Sequence, residues 1–134
     1  MNTRQARLFP VKALSVVLFL LGLFALWGSL TLWGEGFLFH FPEGVDFGFP
    51  ITDILVNAPA SILAAIGLWK LRRWGYVASQ FVAGFYVYAS VEIFVLMIQE
   101  GPPYGAEIFA PQALVVLVAF GLLFYLWRVQ DLFR

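Results

Sequence analysis

The sequence predicts an all-α integral membrane protein: four transmembrane helices in an up-down-up-down bundle, with both termini on the cytoplasmic side. Three observations predict it. Apolar residues make up 62% of the 134-residue chain and charged residues 12%, about half the charged share of a soluble domain. Four apolar stretches are each long enough to cross the roughly 30 Å of hydrocarbon in a bilayer. All eight Lys and Arg fall in three short segments: Arg4, Arg7 and Lys12; Lys70, Arg72 and Arg73; Arg128 and Arg134. The two other connections carry Glu35, Glu43, Asp46, Glu100 and Glu107 and no basic residue. Basic residues are retained on the cytoplasmic side, which fixes the expected orientation.

The first span is expected over about residues 13–33. Its apolar run is longer than the h-region of a cleaved signal peptide and no A-x-A site follows it, so it reads as a retained helix. Ser15, Gly22, Ala25 and Ser29 fall at i, i+7, i+10 and i+14, gathering small residues on one face where another helix can approach closely. The second span, about 51–69, and the third, about 76–98, are joined by the basic turn Lys70-Leu71-Arg72-Arg73-Trp74-Gly75 and form an antiparallel hairpin. Trp69, Trp74 and Tyr76 flank that turn as interfacial anchors, and Tyr125 and Trp127 mark the same level on the fourth span, about 111–127. Pro111 is placed near the first turn of that span, where its missing N–H costs nothing. Pro59 lies inside the second span; it cannot donate to the carbonyl of Leu55, so a kink is expected beside Asn57. The whole chain reads as one membrane domain.

The connection 34–50 contains Phe37, Phe39, Phe41, Phe47 and Phe49 despite Pro42 and four glycines. So apolar an external loop is expected to lie in the outer interface or to cap the helix ends. The alternative is a lid or docking surface for a hydrophobic ligand or partner.

Several chemistries lack their residues. Without Cys there is no disulfide, no thiol relay, no iron–sulfur cluster and no Cys-bound zinc, and a single His cannot supply bis-histidine haem ligation. No metal site is expected and no cofactor is indicated. There is no G-x-S-x-G, H-E-x-x-H or phosphate-cradling loop. Zero net charge, with basic and acidic connections separated, argues against nucleic acid as a partner.

What chemistry there is must come from polar residues at membrane depth, which are costly and tend to face the bundle interior. Glu92 is the clearest, with Gln80, Gly84 and Tyr88 before it at four-residue steps. Asp53, Asn57 and Ser61 repeat that step on the second span. Antiparallel packing would bring Asp53 and Asn57 to the depth of Glu92 and Tyr88, so the expected site is a small outward-facing polar pocket of Asp53, Asn57, Tyr88 and Glu92, with Ser61, Gln80 and His40 as weaker candidates. Each residue also has a plain structural reading. Asp53 can stabilise a helix N-terminus, Asn57 can bond across helices, and Glu92 can bond a neighbouring Tyr or Ser. Tyr86 and Tyr88 read as packing residues and His40 as an interfacial histidine.

The Phe-rich loop, the second span ending Gly67-Leu68-Trp69-Lys70-Leu71-Arg72-Arg73-Trp74-Gly75 and the two spans that follow resemble, in layout, small bacterial four-helix membrane proteins of the DoxX-like type. The resemblance covers the whole length without a diagnostic motif. It implies a bacterial or archaeal cytoplasmic (inner) membrane and a link to redox complexes, and it carries over no functional residue.

The expected role is an accessory or structural subunit of a larger membrane complex, with the bilayer and other membrane subunits, or further copies of the chain, as partners. One alternative is a small transporter or ligand-binding protein using the outward pocket. The other is a membrane enzyme acting on a lipid-soluble substrate through Asp53 and Glu92.

Overall fold

The computed structural model describes residues 3–39, 50–100 and 106–133, and these form four long helices. α1 is Thr3–Gly34. α2 is Pro50–Trp69, with a π-helical turn over Asp53–Asn57. α3 is Arg73–Glu100. α4 covers 106–128, with a π-helical turn over Gly121–Tyr125, and a short 3₁₀ turn, Gln130–Leu132, follows it. All four are long and apolar enough to cross a membrane. No strand occurs among the described residues. Ten residues of the Phe-rich connection, 40–49, lie outside the described residues.

Two helix starts differ from expectation. α1 begins at Thr3, so the basic segment ahead of the apolar run is helical and Pro10 lies inside the helix. That turn is tied to the far end of the chain. Arg7 pairs with Asp131, and the main-chain oxygen of Arg7 accepts from the Tyr125 hydroxyl at 2.9 Å. α4 begins at Ala106, which puts Pro111 five residues in rather than in the first turn.

The helices follow one another around the bundle: α1 packs on α2, α2 on α3 and α3 on α4, with a narrower α1–α4 contact closing the ring. Small residues set the spacing. A Cβ on Gly22 of α1 would come within 2.9 Å of Ile62 and 3.2 Å of the Ala58 carbonyl of α2. At the α2–α3 hairpin Gly67 and Gly75 face each other so closely that a Cβ on either would lie 2.2–2.3 Å from the other's backbone. The turn between them is a Schellman closure of α2, in which the Leu71 N–H bonds the Leu68 oxygen at 3.0 Å and the Arg72 N–H the Gly67 oxygen at 2.9 Å. Leu71 takes the left-handed position at φ 53°, usually held by glycine, and its side chain packs on the core. α1 closes in the same way, with Gly36 at φ 92° and the Phe37 N–H on the Leu32 oxygen.

The core runs through the bundle as Val11 and Leu18 of α1, Ala64 and Leu68 of α2, Val82, Ala83 and Tyr86 of α3, and Ala119, Leu122 and Leu126 of α4. Large apolar side chains such as Phe24, Trp27, Phe81, Leu117 and Phe124 point outward. Small residues inside and large apolar residues outside is the arrangement of helices whose surroundings are as apolar as their core. The hairpin turn, the start of α1 and the end of α4 meet at one end, so the described Lys and Arg residues gather there. This is called the basic end below.

Candidate functional site

The N-terminal half of α2 is shaped by Pro59. Its missing N–H leaves the Leu55 carbonyl without an α-helical donor. The chain responds with the π turn over Asp53–Asn57, in which the Ala58 N–H bonds the Asp53 oxygen five residues back. The expected irregularity beside Asn57 is thus a wider turn, and it stacks Asp53, Asn57 and Ser61 along one edge of α2.

These three side chains join two others in a continuous chain of hydrogen bonds. Asn57 Nδ2 donates to Asp53 Oδ1 at 2.8 Å and Ser29 Oγ of α1 donates to Asp53 Oδ2 at 3.3 Å. Ser61 Oγ donates to Asn57 Oδ1 at 3.2 Å and lies 2.9 Å from Tyr86 Oη of α3. Ser61 has one proton and spends it on Asn57, so Tyr86 is the donor in the last bond. Every donor therefore points toward Asp53: Tyr86 to Ser61 to Asn57 to Asp53, with Ser29 arriving from the other side. Ser29, Ser61 and Tyr86 are buried and Asp53 and Asn57 half-buried. The arrangement replaces the water that a carboxylate would otherwise hold, and it joins α1, α2 and α3 through one group.

The expected pocket is not assembled in full. Asp53, Asn57 and Ser61 come together, but Tyr88 is 65% exposed and Glu92 is exposed, both on the outward face of α3. The reason is angular. Four residues overshoot a 3.6-residue turn by about 40°, so the stripe Gln80, Gly84, Tyr88, Glu92 winds away from the bundle by about 120° over its length. The inward face instead follows steps of four and three, through Ser79, Ala83, Tyr86, Ser90 and Ile93, all buried. Glu92 makes no hydrogen bond or ion pair with another described residue. Gln80, at the start of the stripe, is still turned inward, and its Nε2 donates to the Leu122 oxygen in the π turn of α4 at 2.7 Å. His40 lies outside the described residues.

The gap beside Asn57, bounded by Val56, Ala60 and Phe85, has no room for a water. Toward the basic end the remaining polar side chains are used locally: Ser15 on the Ala65 oxygen at 2.7 Å and Ser79 on the Gly75 oxygen at 2.6 Å. Among the described residues no buried side-chain N or O lacks a partner, and no group of His, Asp or Glu could hold a metal ion. Among the described residues the chain of donors ends at Tyr86.

Sequence reasoning missed Ser29 and Tyr86 as members of this cluster. Ser29 was visible on the small-residue face of α1. Tyr86 was visible on the alternating four-and-three face of α3, a better guide than a strict four-residue step.

The site and the fold define a class, a bundle of four helices long and apolar enough to cross a membrane, with a polar cluster satisfied among the described residues. No family model, curated protein or solved structure matches the chain. The DoxX-like resemblance therefore rests on layout alone.

Proposed function

We propose that this protein is an accessory or structural subunit of a larger complex in the cytoplasmic membrane. It would be a multi-pass chain with both termini in the cytoplasm, joined to its partner through the outward face of α3. The observation that carries this reading is Glu92, exposed on a membrane-length helix and unpaired with any other described residue. It lies about 24 Å along α3 from Tyr76 at 1.5 Å per residue, inside a hydrocarbon slab of roughly 30 Å that begins near that ring. A carboxyl group facing lipid at that depth is costly, and a partner helix offering a donor or a cation removes the cost. Gly84, on the same outward stripe, has nothing within 4 Å of its absent Cβ and leaves room for a second backbone. The inward polar groups support the same reading because, among the described residues, every buried side-chain N or O already has a partner. The acid–base alternative has less support, since Asp53 is held between α1 and α2 while Glu92 points away from the bundle.

The test compares the wild-type chain with E92L and E92Q, extracted from the native membrane in mild detergent and sized by native mass spectrometry. The wild type is expected in a larger assembly. E92L should reduce its share at least tenfold, whereas E92Q, which keeps hydrogen-bonding atoms, should retain most of it. A wild-type chain found alone, or an assembly indifferent to E92L, would overturn the proposal.

A further inference from the structure

Near the basic end α1 and α2 part on their outer side to leave a groove of about 380 Å³, within the range of small-molecule sites, about 300–1,000 Å³. Val16, Phe19 and Leu20 of α1 form one wall and Ile66 of α2 the other, while Trp69 and Lys70 stand at the end nearest the hairpin turn. The groove holds little polarity, because Ser15, its one hydroxyl, is already bonded to the Ala65 oxygen at 2.7 Å.

The end of the groove is charged. Lys12 lies with its ammonium 4.3 Å from the centre of the Trp69 ring and bonded to the Trp69 oxygen, and the exposed Lys70, the first residue past α2, lines the same end of the groove. Neither lysine makes an ion pair with a described acidic residue; Asp131 is engaged by Arg7. Lys12 spends one of its N–H bonds on the carbonyl and keeps two. An apolar slot open to the side and ending in two ammonium groups beside an interfacial tryptophan matches a molecule with a long hydrocarbon chain and a negative head.

We propose that the groove binds one acyl chain of an anionic phospholipid of the surrounding leaflet, with its phosphate held by Lys12 and Lys70. The apolar walls select a lipid over free phosphate. The two cations select an anionic head over a zwitterionic one, whose own ammonium they would repel. The assignment does not rest on the role proposed for Glu92, which lies on another helix and toward the other end of the bundle.

Trp69 provides the readout. A variant keeping Trp69 alone, with Trp27, Trp33, Trp74 and Trp127 changed to Phe, is placed in phosphatidylcholine vesicles containing either brominated phosphatidylglycerol or brominated phosphatidylcholine at equal bromine content. Trp69 should be quenched at about tenfold lower mole fraction by the anionic lipid. K12Q with K70Q should abolish that preference, and V16F, which fills the slot, should weaken quenching by the anionic lipid. Native mass spectrometry of the chain with all its tryptophans, given equal phosphatidylglycerol and phosphatidylcholine, checks the result without the Phe substitutions. The expected result is one retained anionic lipid, lost in K12Q/K70Q. Equal response to the two lipids would overturn the proposal. So would a preference that survives the lysine changes, or one that V16F leaves untouched, which would signify surface charge alone.

Discussion

Gly67 and Gly75 leave no space for a methyl group, since a Cβ on either would sit 2.2–2.3 Å from backbone atoms of the facing helix. Backbone cannot move aside as the tip of a side chain can. Gly75→Ala should therefore separate α2 from α3 and cost about 3 kcal/mol, the upper part of the usual range for overpacking. Gly84→Ala should have the opposite sign. Nothing lies within 4 Å of that position, and alanine is favoured over glycine in a helix by about 1 kcal/mol. Unfolding of both variants by SDS titration of detergent micelles measures the contrast; equal destabilisation by the two would contradict the packing described. The Asp53 cluster permits a double-mutant test at the same scale. Ser61→Ala and Tyr86→Phe each break the 2.9 Å bond, so their effects should be non-additive. A coupling of about 0.6 kcal/mol, and at most about 1.7, is expected from the strength of such bonds between membrane helices. Strict additivity would mean that the bond contributes nothing. Three of the five residues of this cluster were legible in the sequence. Asp53, Asn57 and Ser61 share a helix and a simple spacing, whereas Ser29 and Tyr86 join only through packing of three helices, which spacing within one helix does not encode. Glu92 fails for the converse reason: its depth could be read from the sequence, but its direction depends on which face of α3 the buried small residues claim.

The elements differ in how openly the sequence announces them. The four long helices follow from apolar stretches broken by only a few polar residues such as Asp53 and Glu92, and their centres lie where the hydropathy puts them. Helix ends were less legible, because the amphiphilic turn Thr3–Lys12 is held in place by Asp131 and Tyr125 from the other end of the chain. The two π turns show the same division. The one in α2 is signalled by Pro59. The one in α4 has only Gly121 as a local hint, and its surroundings are tertiary: Leu14 lies 3.0 Å from the absent Gly121 Cβ, and Gln80 donates to the Leu122 oxygen at 2.7 Å. Gln80→Leu keeps the apolar volume and removes that donor. It should cost on the order of 1 kcal/mol and hasten amide exchange at Leu126, whose N–H closes the turn on the Gly121 oxygen. Exchange at Leu126 unchanged in the variant would mean that the π turn is set by α4 alone.

For the molecule as a whole, folding concentrates charge that the sequence only spaces apart. The hairpin turn, the start of α1 and the end of α4 converge, so that Arg4, Arg7, Lys12, Lys70, Arg72, Arg73 and Arg128 crowd one end of a bundle whose four helices are of membrane length. Orientation should follow from that crowding because cationic connections are retained and acidic ones have little say. A reporter fused after Arg134 is expected to be cytoplasmic and one inserted at Glu43 external. The basic residues come in separate groups, which makes the outcome redundant: neutralising Arg72 and Arg73 together should leave both reporters where they are. Replacing Glu35, Glu43 and Asp46 by their amides should also change nothing, since acidic residues do not set topology. Adding three lysines to the 34–50 connection while removing Arg4, Arg7 and Lys12 should instead produce a mixed or inverted population, by reversing the bias around the first span. An unmixed wild-type orientation in that last variant would show that something other than basic charge holds α1 in place, with the Arg7–Asp131 pair already excluded because Arg7 is gone.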